Sequence, residues 1–243
     1  MRRPIRAIVY FLLFCAAAVA VIEVRQWLHR NPQELPWTEF DLDHPTGRFT
    51  AAKIAALGDD APRCRALLSE TGVRDRPAPA RVVAENCGFR DGMRLVGGNA
   101  REASFRPDGL VTSCPAAAAL LLWDQRVLQP AAQRHFDASV TALTHAGSYS
   151  CRRLYNRGEG AWSEHATADA LDVLGFRLSN GRTVSVLRDW GGDPRDAAFL
   201  REVRDGACRL FTTVLSPDYN AAHRDHLHLD VADRGPSGWR ACR

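Results

Sequence analysis

The chain has 243 residues, 46% of them hydrophobic and 25% charged, which excludes a disordered chain and suits one main core with a small helical subdomain. The formal net charge is +4 and the Lys and Arg residues are scattered, so nucleic-acid binding is not expected, whereas an anionic polymer would be tolerated.

Arg2, Arg3 and Arg6 precede an apolar run over residues 7–22, which Glu23 and Arg25 close. The run is longer than most signal-peptide cores and shorter than the roughly 20 residues that span a bilayer. Ala18-Val19-Ala20 offers a small-residue cleavage site. Residues 1–28 are therefore either a removed signal peptide, giving a secreted protein cut after Ala20, or a retained inner-membrane anchor. Either way the remainder faces the periplasm or cell envelope. Cys15 lacks the small residues before it that a lipoprotein signal wants, and lipidation is not expected there. Residues 29–48 contain Pro32, Pro36 and Pro45 without a sustained period, and read as a linker that lifts the domain off the membrane.

The remaining residues, 49–243, form the domain. Helical patterns cover residues 50–57 and 61–70, the second ended by Gly72. With a loop-rich stretch over 73–112, which holds the turn-prone Gly97-Gly98, they make a cap over 49–112. The core, 113–243, opens with Cys114-Pro115 at the start of the longest helical pattern, which runs to about Val127, and Pro130 kinks or ends it. Strands follow over residues 140–143, 170–178, 183–189 and 226–231. Asn180-Gly181 marks a tight hairpin between the second and third. Apolar residues at Phe199, Leu200, Val203, Ala207 and Leu210 predict an amphipathic helix over 196–211. The fold class expected is α+β, a small antiparallel sheet with helices packed on one side. Apart from Cys15, six cysteines remain (Cys64, Cys87, Cys114, Cys151, Cys208, Cys242) with no CxxC pair. An even number in an exported chain predicts disulfides and leaves their pairing open.

Two segments concentrate unusual polar residues. In Ser163-Glu164-His165-Ala166-Thr167-Ala168-Asp169-Ala170-Leu171-Asp172-Val173, Asp172 interrupts an otherwise apolar strand, and a buried carboxylate needs a cation. In His223-Arg224-Asp225-His226-Leu227-His228-Leu229-Asp230, the strand period of two points His226 and His228 the same way. Two histidines and one aspartate leave the fourth position of a tetrahedral zinc for water, the arrangement of hydrolytic rather than structural sites. Asp230 shares that strand face and could hold one imidazole in place.

These segments, together with Gly147-Ser148-Tyr149-Ser150-Cys151-Arg152, Asp189-Trp190, Phe199-Leu200-Arg201, Asp205-Gly206-Ala207-Cys208 and Pro217-Asp218-Tyr219-Asn220-Ala221-Ala222, resemble the bacterial extensin-like C-terminal domain family. More distantly, the chain is similar to the zinc D-alanyl-D-alanine carboxypeptidases and endopeptidases that cleave peptidoglycan stems. Their Ser, His, Gly, Ala, Asp motif falls on Ser163, His165, Ala168, Ala170 and Asp172, with alanine standing at position 168 for the usual glycine. The resemblance implies Zn2+ held by His165, Asp172 and His228 at the sheet. It implies Asp225 as general base, His226 as a group that orients or stabilises the reacting atoms, and Arg152 as a binder of the substrate carbonyl or carboxylate. The expected activity is hydrolysis of peptide bonds in peptidoglycan stems or cross-links. The alternatives are a wall-binding envelope protein that keeps the metal without turnover, and a disulfide-stabilised scaffold with none. In blander terms Arg152 and Arg153 are solvated charges at a disulfide-tied turn, Asp225 is a turn residue, His223 and His145 are surface or supporting histidines, and Trp190 and Tyr219 are packing residues.

Overall fold

The computed structural model describes residues 2–98, 103–235 and 237–243. The N-terminal apolar run continues as a helix beyond its last hydrophobic residue: α1 spans Arg2–Arg30, 29 residues, or about 43 Å at the helical rise. Ile8, Phe11, Phe14 and Val21 on it are exposed rather than packed on the domain. Among the described residues it is the one helix long and apolar enough to cross a bilayer, compatible with a signal or a membrane anchor.

Residues 32–48 depart from the expected linker. The helical turn Pro32–Glu34 docks on the domain, where the Lys53 ammonium donates to the Pro32 carbonyl at 2.7 Å. Leu35, Phe40 and Leu42 are buried, the last two in the main core with Ile54 and Leu57. Arg126 donates to the carbonyls of His44 and Leu42. The prolines break any helical or strand period here, but the apolar side chains between them still have a core to join.

Two short helices follow as expected, α2 (Thr50–Ala56) and α3 (Ala61–Glu70), the second capped by the Asp60 carboxylate, which accepts from Arg63 N–H at 3.1 Å. The stretch expected to be loop-rich instead holds six short strands: β1 (Val73–Pro77), β2 (Arg81–Ala84), β3 (Cys87–Phe89), β4 (Met93–Gly98), β5 (Ser104–Arg106) and β6 (Val111–Thr112). Gly97-Gly98 closes β4 rather than turning the chain, and residues 99–102 lie outside the described residues. β1, β4 and β6 form one small sheet and β2–β3 a separate ribbon, while β5 joins the main sheet.

Helix α4 (Cys114–Trp123) is buried on every side, as a helix apolar all round must be. Ser113 caps it, its hydroxyl accepting from Ala116 N–H. The break expected at Pro130 takes the form of a π-helical turn over Asp124–Leu128, after which α5 (Gln129–Phe136) continues with proline in its first turn. The wider turn frees the carbonyl with which the proline ring would otherwise clash.

The main sheet then builds through β7 (Val140–His145), β8 (Ala170–Leu178) and β9 (Thr183–Ser185), with Gly181 at φ +87° in the predicted hairpin turn. The strand predicted over 183–189 stops early. Val186–Asp189 is a short helix, α6, because the Asp189 carboxylate accepts from Ser185 N–H at 2.6 Å and closes a helical turn there. Helix α7 (Pro194–Ala207) is capped by Asp193. Strands β10 (Thr213–Leu215), β11 (Leu227–Asp230) and β12 (Ala241–Cys242) complete a seven-stranded sheet in the order β12-β10-β11-β8-β7-β5, with β9 on β8. It is mostly antiparallel, but β5 runs parallel to β7 and β12 to β10. The architecture is α+β. Trp123 joins the helices to the sheet, its ring 5.9 Å from Phe176 on β8 and its indole N–H donating to the Val203 carbonyl of α7. Three disulfides staple the domain: Cys64–Cys114, Cys87–Cys151 and Cys208–Cys242.

Candidate metal centre

The centre is made by strand register. In the antiparallel pair β8·β11, Asp172 lies directly opposite His228, so the two side chains share one face of the sheet. Asp172 Oδ1 is 2.9 Å from His228 Nδ1. His165 comes from the 3-10 turn Glu164–Thr167 just ahead of β8, and its Nε2 is 3.1 Å from Asp172 Oδ1 and 3.3 Å from His228 Nδ1. Ligand atoms placed around a tetrahedral zinc at ordinary bond lengths stand about 3.3 Å apart. The three side chains therefore fit one small cation, and they form the candidate ligand set.

The outer nitrogens support this arrangement. His165 Nδ1 is 2.7 Å from the Ser148 carbonyl, to which it donates, leaving Nε2 with its lone pair turned inward. His228 Nε2 is 3.1 Å from Asp230 Oδ2, which leaves Nδ1 inward likewise. Asp230 is itself fixed, its Oδ1 accepting from Ala232 N–H at 3.1 Å. Holding an imidazole by its far nitrogen sets its tautomer and aim, as metal sites require.

Electrostatics make the cluster hungry for positive charge. Burial by itself would raise the Asp172 carboxyl, but hydrogen bonds to His165 and His228 hold it far below the usual carboxylate range. Burial by itself would lower His228, yet hydrogen bonds to Asp172 and Asp230 override it and raise the imidazole to about 9. In both cases the attraction between carboxylate and imidazole outweighs desolvation.

The loop between β7 and the 3-10 turn walls the site. His145, buried at its start, accepts from Gly147 N–H on Nδ1 at 3.0 Å and reaches the Pro107 carbonyl through Nε2 at 3.0 Å. It is thus a supporting histidine, not a surface one. Ser150 N–H donates to the His165 carbonyl at 2.8 Å, and Cys151 is tied to β3. Ala168 ends the 3-10 turn at φ +63°, which is the physical reason a glycine suits this position. Its carbonyl compensates by accepting from Ser113 N–H and from the hydroxyls of Thr112 and Ser148.

A cavity of about 500 Å³ opens over the cluster. Arg152 lines it with no ion pair among the described residues, together with His226 and His228. His226 Nε2 is 3.5 Å from Asp172 Oδ1, on the face that the period of two required. Asp225 does not stand free: its Oδ1 is 2.8 Å from His226 Nδ1, a bond that also lowers the Asp225 pKa. Trp190 is a packing residue, buried with its indole donating to Asp218 at 2.8 Å, whereas Tyr219 lines the cavity.

Three further residues, given no part in the site by the motif reading although His223 and Glu164 stand inside the two segments, line the cavity. His223 stacks against His226 at 5.1 Å, and burial followed by the neighbouring His226 and His228 depresses it to about 4. Glu164 is raised to about 7 by burial and then by Asp230 and Asp169. Arg234 enters from the segment after β11. Only His223, one helical turn ahead of His226, had a spacing that could have drawn attention.

No curated protein and no solved structure matches the chain. The profile of the extensin-like protein C-terminus family matches residues 62–243, which takes in the whole candidate centre and all three disulfides. By that match, over the larger part of its length, the chain belongs to the extensin-like protein C-terminus family.

Proposed function

We propose that the protein is a zinc-dependent hydrolase of the cell envelope that cuts peptide bonds in peptidoglycan stem peptides or cross-links. The observation that carries the reading is the convergence of His165 Nε2, Asp172 Oδ1 and His228 Nδ1 within 3.3 Å of one another, each histidine aimed by a second hydrogen bond. The bond class rests on the sequence resemblance of these motifs to zinc carboxypeptidases and endopeptidases of the wall, which no match to a curated protein or solved structure accompanies. The compartment comes from the apolar N-terminal helix and three disulfides.

His165, Asp172 and His228 would hold the metal. Zinc, when bound, supplies a Lewis acid that polarises a carbonyl and acidifies water. His226 is the group placed to move a proton: Asp225 keeps its Nδ1–H, so Nε2 is the basic atom facing the cluster. As the imidazole takes a proton from the attacking water, the Asp225 carboxylate stabilises the resulting cation. Asp225 therefore serves the base role through His226, a division of labour the motif by itself did not suggest. Arg152, with no ion pair among the described residues, lines the cavity wall where it would donate to the oxygen that gains charge as the amide carbon becomes tetrahedral.

Metal analysis of the purified full-length chain should find about one zinc per molecule, lost in a His165→Ala variant. Incubation with purified sacculi should release new muropeptides, and His226→Ala should cut that release by about a hundredfold or more. A muropeptide profile identical for the wild type and His165→Ala would overturn the enzymatic reading.

A further inference from the structure

Beside the metal cluster the cavity carries two opposite charges that neither the cluster nor the proton-transfer pair uses. Glu164 lines it next to the ligand His165, and its carboxylate accepts no hydrogen bond among the described residues. Arg234 lines the same cavity from the chain that leaves β11. Its guanidinium is held in place, one amino group donating to the Thr213 hydroxyl and the plane lying 5.1 Å from the Trp239 ring centre, yet it has no carboxylate partner among the described residues. Glu164 and Arg234 line one cavity, and they stand beyond the 4.0 Å of an ion pair.

An acid and a base that share a cavity without meeting leave room between them for a ligand carrying both signs. We propose that Glu164 and Arg234 form a second subsite that takes a zwitterionic α-amino-acid group of the substrate, its carboxylate on Arg234 and its ammonium on Glu164. The proposal rests on the reading of the protein as a peptidoglycan peptidase, and it narrows the substrate to stem peptides with such a group near the scissile bond. A planar guanidinium fixed by a hydroxyl and an aromatic ring suits a carboxylate, which it meets with two parallel hydrogen bonds. A cavity lined by Tyr155 and Tyr219 beside this pair leaves apolar surface for the aliphatic stem that carries the zwitterion.

Two probes separate the charges. The tripeptide L-Ala-γ-D-Glu-meso-diaminopimelate carries an ammonium and a carboxylate at the end of its last side chain, whereas L-Ala-γ-D-Glu-L-Lys carries the ammonium alone. Binding of each to the detergent-solubilised full-length chain is measured by calorimetry with a chelator present, so that neither turnover nor metal enters the result. The wild type should prefer the diaminopimelate peptide by about tenfold, the size of one charge-assisted contact. Arg234→Gln should reduce that preference to about twofold or less, and Arg234→Lys, which keeps the charge, should retain about half of it on a logarithmic scale. Glu164→Gln should weaken both peptides alike, by about tenfold. Equal binding of the two peptides by the wild type, or a preference that survives Arg234→Gln, overturns the subsite. Sacculus digestion is read separately, so a protein that fails to cleave wall but shows the preference would sink the enzymatic reading and leave the subsite standing.

Discussion

His228 Nδ1 faces Asp172 because Asp230 holds the opposite nitrogen, and the same logic runs through Ser148 to His165. Truncating Asp230 would leave a buried imidazole N–H without a partner and free the ring to turn. Asp230→Ala should therefore weaken zinc binding by about 10–100-fold, read by competition with a chromophoric chelator, while Asp230→Asn, which keeps an acceptor, loses less. Affinity unchanged in Asp230→Ala would mean that register sets the ligand geometry without help. Ala168 offers a test of the opposite sign. It sits at φ +63°, where an L side chain is strained, and Ala168→Gly should stabilise the fold by about 1 kcal/mol in urea unfolding. Asp172 was conspicuous in the amino-acid order as a polar residue on an apolar strand, and His226 and His228 by their strand spacing, whereas the set with His165 came only from the family resemblance. Glu164 and Arg234 were not conspicuous, since an acid in a turn and an arginine after a strand are ordinary until the fold turns them into one cavity.

Elements with a strong period were readable: α2, α3, α7 and β8 fall close to their expected bounds, and the turn between β8 and β9 lies where it was expected. The strands of residues 73–112 were not, because they are two to six residues long, too short for a period to show, and β2 is exposed along its whole length. What holds such short elements is cross-linking and edge pairing. β12 has two residues, and it stays on β10 through backbone hydrogen bonds from Ala241 to Thr212 and Arg243 to Val214, with Cys242 bonded to Cys208 at the end of α7. Replacing both cysteines by alanine should lower stability by about 3 kcal/mol in denaturant unfolding under oxidising conditions. A change under about 0.5 kcal/mol would show that β12 holds its place through the sheet alone.

Taken as a whole, the molecule joins an apolar helix to a domain with little slack between them. Prolines and a missing period made residues 32–48 read as a spacer, yet periodicity reports regular elements and says nothing about irregular chain that packs. Leu35, Phe40 and Leu42 are buried, and Arg126 and Lys53 spend their donors on carbonyls of this segment. The packed chain thus begins at about Pro32, one residue after the turn in which Asn31 N–H still bonds the Trp27 carbonyl of α1. Two truncations distinguish a packed segment from a spacer. A chain starting at residue 32 should keep the thermal midpoint of the full-length protein within a few degrees. A chain starting at residue 49 removes three buried apolar side chains, each worth about 1.5–3 kcal/mol at most, and strands two cations that lose their acceptors. It should unfold at a midpoint lower by ten degrees or more, or fail to accumulate at all, since the loss approaches the whole stability of a typical domain of about 5–15 kcal/mol. Equal midpoints for the two truncated chains would return the segment to the status of a spacer, and with it the idea that the domain stands free of the membrane.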